Sequence, residues 1–266
     1  MNIYNIFDEQ GFYGPVKFLS YQENEYYKKH LLDCELKYNL MDSDYRCKSN
    51  VLFSWVCELS KHNIIVEHVK QILGNNFHCW DTLVWIKNAH TDKYVSWHQD
   101  ATYWNFMPKE SGLTVWVTLS GATRDMGCIQ YLYGSHLKKQ VYHDDVKNNN
   151  NLLMRGQTVD YNVQNTVYAE CEPGSFLMHS PYTMHGSDKN NSDIPRLALG
   201  FIYVATTAKP IEIYDVESTI MINGVDEYNY MIHDPEPTGN WDIDIKNWKL
   251  AYDRQHANYY KMAQSV

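Results

Sequence analysis

The chain has 266 residues, 44% of them apolar and 21% charged, which is the composition of a soluble globular protein with room for one large domain. Its net charge of −9 argues against nucleic acid as a partner, because that footprint needs clustered Lys and Arg. No run approaches the roughly 18 apolar residues of a membrane span, and the opening Met1–Asp8 has neither a basic nor an apolar signal region, so no membrane partner is expected and a cytoplasmic location is.

Residues 1–76 read as a helical flank. Ser20 and Glu23 form a capping-box pattern ahead of a polar-aromatic helix to about Leu36. Val51 to Leu59 carries a broad apolar face, and Ile65, Val69, Ile72 and Leu73 recur at helical spacing before Gly74 stops the helix. From Phe77 the period changes. Phe77–Lys87, Tyr94–His98, Leu113–Leu119, Ile129–Tyr133, Val167–Cys171, Ser175–His179 and Arg196–Val204 are short, rich in β-branched and aromatic residues, and separated by Gly, Pro and Asn turns. With 22 Tyr and 8 Trp in the chain, this spacing predicts a mainly-β double-sheet jelly roll over 77–205 rather than βαβ units.

The gap at about 138–165 contains four consecutive Asn at 148–151 and is expected to leave the sheet, part of it folding back over the barrel mouth. Residues 206–266 read as an extension that leaves the sheet after Val204, its last clear element a helix from about Asp244 to Met262. The six cysteines (Cys34, Cys47, Cys57, Cys79, Cys128, Cys171) show no Cys-x-x-Cys pair and are expected to be reduced core residues. With no repeat and no flexible linker, one domain over 1–266 is expected.

The stretch Trp97-His98-Gln99-Asp100 ends one of these strands. Alternation turns His98 and Asp100 to one face and Gln99 to the other, which supplies two members of a 2-His-1-carboxylate set. In isolation a hydrogen-bonded structural pair explains it equally well, since His-x-Asp also occurs at His90/Asp92 and His143/Asp145, both in polar loops. His185 is the candidate third ligand, because Arg196 follows it by eleven positions at the head of a strand. A guanidinium there presents a bidentate fork to a carboxylate.

Taken together, Trp97-His98-Gln99-Asp100, Leu113–Leu119, Gly127-Cys128-Ile129 with Gly134-Ser135-His136, and His185-Gly186-Ser187 with Arg196 resemble the phytanoyl-CoA dioxygenase family of Fe(II)/2-oxoglutarate oxygenases. The resemblance covers roughly Gly11 to Val204. Gly11–Pro15, Tyr103-Trp104 and the Leu152–Gln157 segment look like a bacterial branch that includes hydroxylases of small zwitterions such as aminoalkylphosphonates.

The resemblance implies a double-stranded β-helix, with iron ligands at His98, Asp100 and His185. It implies 2-oxoglutarate contacts at Arg196, Ser187 and Trp116, with Gln99 inside the His-Gln-Asp signature. It also implies O2-dependent decarboxylation of 2-oxoglutarate to succinate and CO2, coupled to hydroxylation of a small metabolite, with ascorbate as an outside reductant. Asp100 keeps the carboxylate that related halogenases replace by a small residue, so hydroxylation is expected over chlorination.

Four residues stay open between two readings. Tyr103 and Trp104 line the substrate pocket, where a ring face attracts a cation, or pack the core. His179 contacts substrate or is a buried structural histidine, the reading favoured here. Arg155 reaches over the mouth to an anion or stays solvated. Two other functions compete: a non-catalytic jelly-roll sensor with a relic site, and a cupin-type isomerase on another metal, which leaves Arg196 and Ser187 without a task. A substrate tethered to coenzyme A or a carrier protein fits as well as a free one, because those contacts come from loops.

Overall fold

The computed structural model describes residues 2–146, 148–153, 155–160, 166–211 and 216–264. In chain order, α1 (Ile3–Gln10) and β1 (Phe12–Lys17) precede helices α2 (Tyr21–Tyr38), α3 (Ser49–Leu52), α4 (Ser54–Ser60) and α5 (Asn63–Leu73). Strands β2 (Phe77–Lys87), β3 (Val95–His98), β4 (Phe106–Met107), β5 (Gly112–Thr118), β6 (Ile129–Leu132), β7 (Asp144–Asp145) and β8 (Gln157–Thr158) follow. The remainder comprises β9 (Thr166–Ala169), β10 (Ser175–His179), β11 (His185–Ser187), β12 (Arg196–Ala205), β13 (Lys209–Pro210), β14 (Ser218–Asn223), β15 (Ile232–His233) and α6 (Trp241–Gln264).

The helices end where local chemistry ends them. Glu23 accepts from the Ser20 N–H at 2.8 Å while Ser20 Oγ accepts from the Glu23 N–H at 3.3 Å, the reciprocal pair that satisfies two orphan donors at the head of α2. Helix α5 stops at Gly74, whose φ of +80° only glycine adopts without strain. The stretch Val51–Leu59 with its broad apolar face is broken at Phe53, whose extended backbone divides α3 from α4.

The chain forms two compact units. The first comprises Met1–Leu31, Trp85–Thr102 and Trp116–Ala198. Within it β3, β11, β6 and β9 form a four-stranded sheet in that order, and β1 runs antiparallel to β10 with Phe12 opposite His179. Its core gathers Phe12, Trp116, Cys128, Tyr131, Leu177 and Ala198, with Phe12 stacked on Tyr131 at 4.6 Å.

The second unit comprises Leu32–Val84, Tyr103–Val115 and Leu199–Val266. There Trp80, Trp104, Phe106, Ile202 and Val204 pack together, and the Trp248 indole donates to Cys47 O at 2.9 Å, fixing α6. The longer sheet has the order β1-β10-β5-β12-β2-β14-β15.

Two sequence expectations need correcting. The helical flank 1–76 contains a strand: the pattern Phe12–Lys17 is interrupted by Gly14-Pro15, and a register irregularity between Tyr13 and Val16 carries the strand past them. Nor does the chain leave the sheet for good after Val204. Ser218-Thr219-Ile220-Met221-Ile222-Asn223 returns to pair antiparallel with β2, Ile220 opposite Cys79.

Candidate metal centre

Antiparallel pairing of β3 with β11 sets His98 directly opposite His185, so both imidazoles leave the same face and their centroids lie 4.2 Å apart. Gly186 makes this approach feasible, because a Cβ there would stand 3.0 Å from Val95 O across the ladder. The strand itself ends at His98. Asp100 opens a 3-10 turn (Asp100–Tyr103) that swings its carboxylate back, leaving Oδ1 at 3.4 Å from His98 Nε2 and 3.7 Å from His185 Nε2. One donor atom from each of His98, Asp100 and His185 lies within 4.8 Å of the others, a group that fits a single metal ion.

The ring orientations fit metal binding. His98 Nδ1 is 2.9 Å from Ser96 O and His185 Nδ1 is 3.0 Å from Thr183 O. A carbonyl only accepts, so each Nδ1 carries the proton and each Nε2 presents a bare lone pair to the cluster. Burial, with the neighbouring His98 and His179 rings, holds His185 well below its ordinary value and keeps it neutral. Burial by itself would raise Asp100, but His185, His179 and His98 outweigh it and hold the carboxyl well below the usual range.

His179 serves the other side of that carboxylate. Its Nε2–H donates to Asp100 Oδ2 at 3.1 Å while its Nδ1 accepts from the Tyr131 hydroxyl at 2.9 Å. In the chain Tyr131–His179–Asp100 the tyrosine and histidine are buried and the carboxylate is half-buried, and the His179 bond occupies Oδ2 so that Oδ1 faces the two imidazoles. Neither Tyr131 nor its partnership with His179 was legible from the sequence. The signal is the β6–β11 pairing that sets Tyr131 opposite His185, and that register is not encoded locally.

A second polar cluster gathers around Arg196. The guanidinium is 2% exposed, lies 5.4 Å from the Trp116 ring centroid and donates from Nη1 to Gly127 O, while its Nε has no partner among the described residues. Lys87, fully buried at the end of β2, donates to Ser187 Oγ at 2.8 Å and to Asp188 O. Burial and the Arg196 charge push Lys87 down to about 5, and burial brings Arg196 to about 10. Among the described residues neither is in an ion pair with a carboxylate, so an orphaned guanidinium N–H on the cationic Arg196, beside a buried lysine amine that adds donors, fits an anionic group. Sequence reading missed Lys87, whose only signal is a lysine that directly follows the apolar run 83–86 at the end of the strand.

The remaining candidates lie elsewhere. Gln99 points away from the cluster: its amide donates to Lys139 O and Tyr182 O at 2.8 and 2.7 Å, and its carbonyl accepts from the Val141 N–H at 2.9 Å. Trp104 is 1% exposed and stacked on Phe106 in the apolar cluster of the second unit, with Tyr103 packed against the same cluster. Arg155 is half-buried and close enough to help depress His143. His90 is exposed and pairs with Asp193 at 2.7 Å. His143 is buried rather than solvated, its Nε2 accepting from the Gln99 N–H at 2.9 Å.

Similarity to known proteins agrees with this architecture. The apo structure of ThoJ, described as a non-heme monooxygenase, superposes with a TM-score of 0.89 over 99% of this chain and 100% of that one, at 20% identity. CytC3 with Fe(II) and α-ketoglutarate gives a TM-score of 0.62 over 88% of this chain and 92% of that one, again at 20% identity. The fold is therefore a cupin-like jelly roll, as expected from the strand spacing and from the double-stranded β-helix that the resemblance implies.

Residues 7–198 match the family described as phytanoyl-CoA dioxygenase (PhyH), and the chain belongs to that family. Among its curated relatives, the peroxisomal phytanoyl-CoA dioxygenase of Bos taurus is 28% identical over 165 residues, covering 60% of this chain and 48% of the relative. A probable phytanoyl-CoA dioxygenase of Caenorhabditis elegans is 27% identical over 154 residues, covering 55% and 49%. The chain spans about half the length of the curated relatives it matches.

Proposed function

We propose that the protein is an Fe(II)- and 2-oxoglutarate-dependent dioxygenase that hydroxylates a C–H bond of a small metabolite and releases succinate and CO2. The observation that carries this reading is the His98, Asp100 and His185 donor set, with both Nε2 lone pairs and Asp100 Oδ1 turned to one point. Two imidazoles and a carboxylate with open positions suit Fe(II), and membership of the PhyH family supports the same metal. Bound there, iron supplies the oxidising chemistry with O2, and ascorbate serves only to keep it reduced.

The chain's own residues then have separate tasks. Asp100 supplies the anionic ligand, and the His179 N–H on Oδ2 fixes its rotamer. Arg196, with the orphaned Nε–H, binds the distal carboxylate of 2-oxoglutarate, and Ser187 and Lys87 add donors beside it. Trp116 closes the apolar wall under the guanidinium and excludes water that would screen it. Gln99 acts from behind, holding residues 139–141 and Tyr182 against the strand that carries the ligands. Tyr103 and Trp104 support the fold from the second unit, and Arg155 is left as the rim contact for an anionic substrate group.

A small zwitterionic amine, amino acid or aminoalkylphosphonate fits an acidic chain better than a polyanion does, and a reducing cytoplasm suits six free cysteines. Anaerobic addition of Fe(II) and 2-oxoglutarate is expected to give a visible charge-transfer band in the wild type and none in His98→Ala. An undiminished band in that variant, or no band in the wild type, overturns the assignment, the latter in favour of a binding protein with a relic site. Because Asp100 occupies the position a halide would need, turnover in excess chloride is expected to yield hydroxylated product.

A further inference from the structure

A second His-Asp-His group stands in the other compact unit, formed by His78 on β2, Asp226 in the β14–β15 connection and His233 on β15. We infer that His78, Asp226 and His233 form a binding site for a first-row divalent cation of the zinc class, separate from the proposed iron centre. The donor atoms converge: His233 Nε2 lies 2.9 Å and His78 Nε2 3.6 Å from Asp226 Oδ2, and one donor atom of each residue falls within 4.8 Å of the others. Ligands sharing a tetrahedral zinc at about 2.0–2.1 Å stand roughly 3.3 Å apart, so the two observed separations bracket the required one.

The carboxylate is prepared for this role much as Asp100 is. Asp226 Oδ1 accepts the N–H groups of Tyr228 and Asn229, both at 3.0 Å, which leaves Oδ2 to the imidazoles. His78 is 2% exposed and its Nδ1 has no hydrogen-bond partner among the described residues, so the polar surroundings of this buried ring lie on its Nε2 side, toward Asp226 Oδ2. The three segments are also held independently of one another's side chains. Met221 pairs with His78 across the sheet, Thr219 pairs with His233, and the loop head is tied down by Asn223 Nδ2 on Asn75 O at 2.6 Å and by the Val225 N–H on Asn76 Oδ1 at 3.1 Å.

His78 and the Asp226 carboxylate are buried while His233 is 42% exposed, so a cation enters past His233 and keeps solvent on its open side. Three protein ligands plus water make a site that staples β15 and its loop to β2, contributing to folding by the affinity it offers.

Tag-free full-length protein, stripped with EDTA and dialysed against Zn(II), tests this by metal counting. The expected content is two zinc ions per chain in the wild type, one in His98→Ala, one in His233→Ala and none in the double variant. His233 is exposed, so its loss leaves no core cavity; Asp226→Asn, which keeps the Oδ1 acceptor of the turn, is the second variant and also drops the content to one. Zinc is further expected to raise the melting temperature of His98→Ala and to leave that of His98→Ala/His233→Ala unchanged. A His98→Ala protein that holds no zinc, or one whose zinc survives His233→Ala and Asp226→Asn undiminished, overturns the site. Failure of the iron centre reads differently, as a zinc count that His98→Ala does not alter.

Discussion

Between His98 and Asp100, the backbone N–H of Gln99 donates to His143 Nε2 at 2.9 Å, while His143 Nδ1–H is satisfied by Val141 O at 3.0 Å. That bond requires a bare Nε2, so His143 must stay neutral, and burial lowers it from 6.5 to about 4. Its folded value lies below the unfolded one, so as pH falls the unfolded chain takes up the proton first. The associated stability is complete above about pH 6.5 and is lost progressively toward pH 4, each unit of separation being worth about 1.4 kcal/mol. Chemical denaturation across pH 7 to 4 is expected to show this decline, and His143→Gln, which retains an acceptor for the Gln99 N–H, is expected to flatten part of it. A slope that His143→Gln leaves unchanged would remove His143 as the source. His78, lowered to about 4 by burial, titrates in the same window, and His185 and Asp100, both held below their ordinary values, add to the decline in the same direction.

One element links this residue to the rest of the sheet. The excursion that carries four asparagines does leave the regular strands, yet its described part returns along β3 rather than standing free. Leu152 N–H donates to Tyr94 O at 2.8 Å, Val159 N–H to Trp97 O at 2.8 Å, and Ser96 Oγ to Gln157 O at 2.6 Å. Asn151 Nδ2 donates to Ser96 Oγ at 2.8 Å, so the last of the four asparagines ties the loop to the strand that bears His98. Asn151→Ala is expected to cost about 1 kcal/mol and to speed amide exchange over 148–160 before the β3 core responds. Uniform exchange across both regions would mean that the excursion and β3 open together. Composition could expel four asparagines from the core, but not say where they land. The same divide separates what was legible from what was not: apolar and aromatic runs such as Phe77–Lys87 and Ser175–His179 were readable to the residue, because composition and flanking turns are local signals. Strand β1, interrupted by Gly14-Pro15, and β14, beyond an apparent exit from the sheet, owe their pairing to distant partners. His98, Asp100 and His185 converge as spacing suggested, whereas the Tyr131–His179–Asp100 chain depends on three registers that no local pattern specifies.

At the scale of the whole molecule, charge bears on the substrate. The chain carries 32 acidic against 23 basic residues, a net of −9, so its long-range field slows the approach of polyanions and leaves zwitterions indifferent. The curated relatives are named for a coenzyme A thioester, whose phosphates give it several negative charges, and the match to this chain covers about half of their length. Among the described residues, buried Arg196 and Lys87 are assigned to the 2-oxoglutarate carboxylate and buried Lys48 donates to Trp80 O and Ser218 O, so none of the three is offered to a phosphate tail. A succinate-release screen with Fe(II), 2-oxoglutarate and ascorbate is therefore expected to give substrate-triggered turnover with small amines, amino acids or aminoalkylphosphonates. Long-chain acyl-CoA is expected to stay near the uncoupled background. The salt dependence separates the cases independently: turnover of a zwitterion is expected to vary little between low and physiological ionic strength, whereas an acyl-CoA substrate would react faster as salt screens the repulsion. Acyl-CoA turnover above that of every small zwitterion, rising with salt, would move this chain to thioester chemistry.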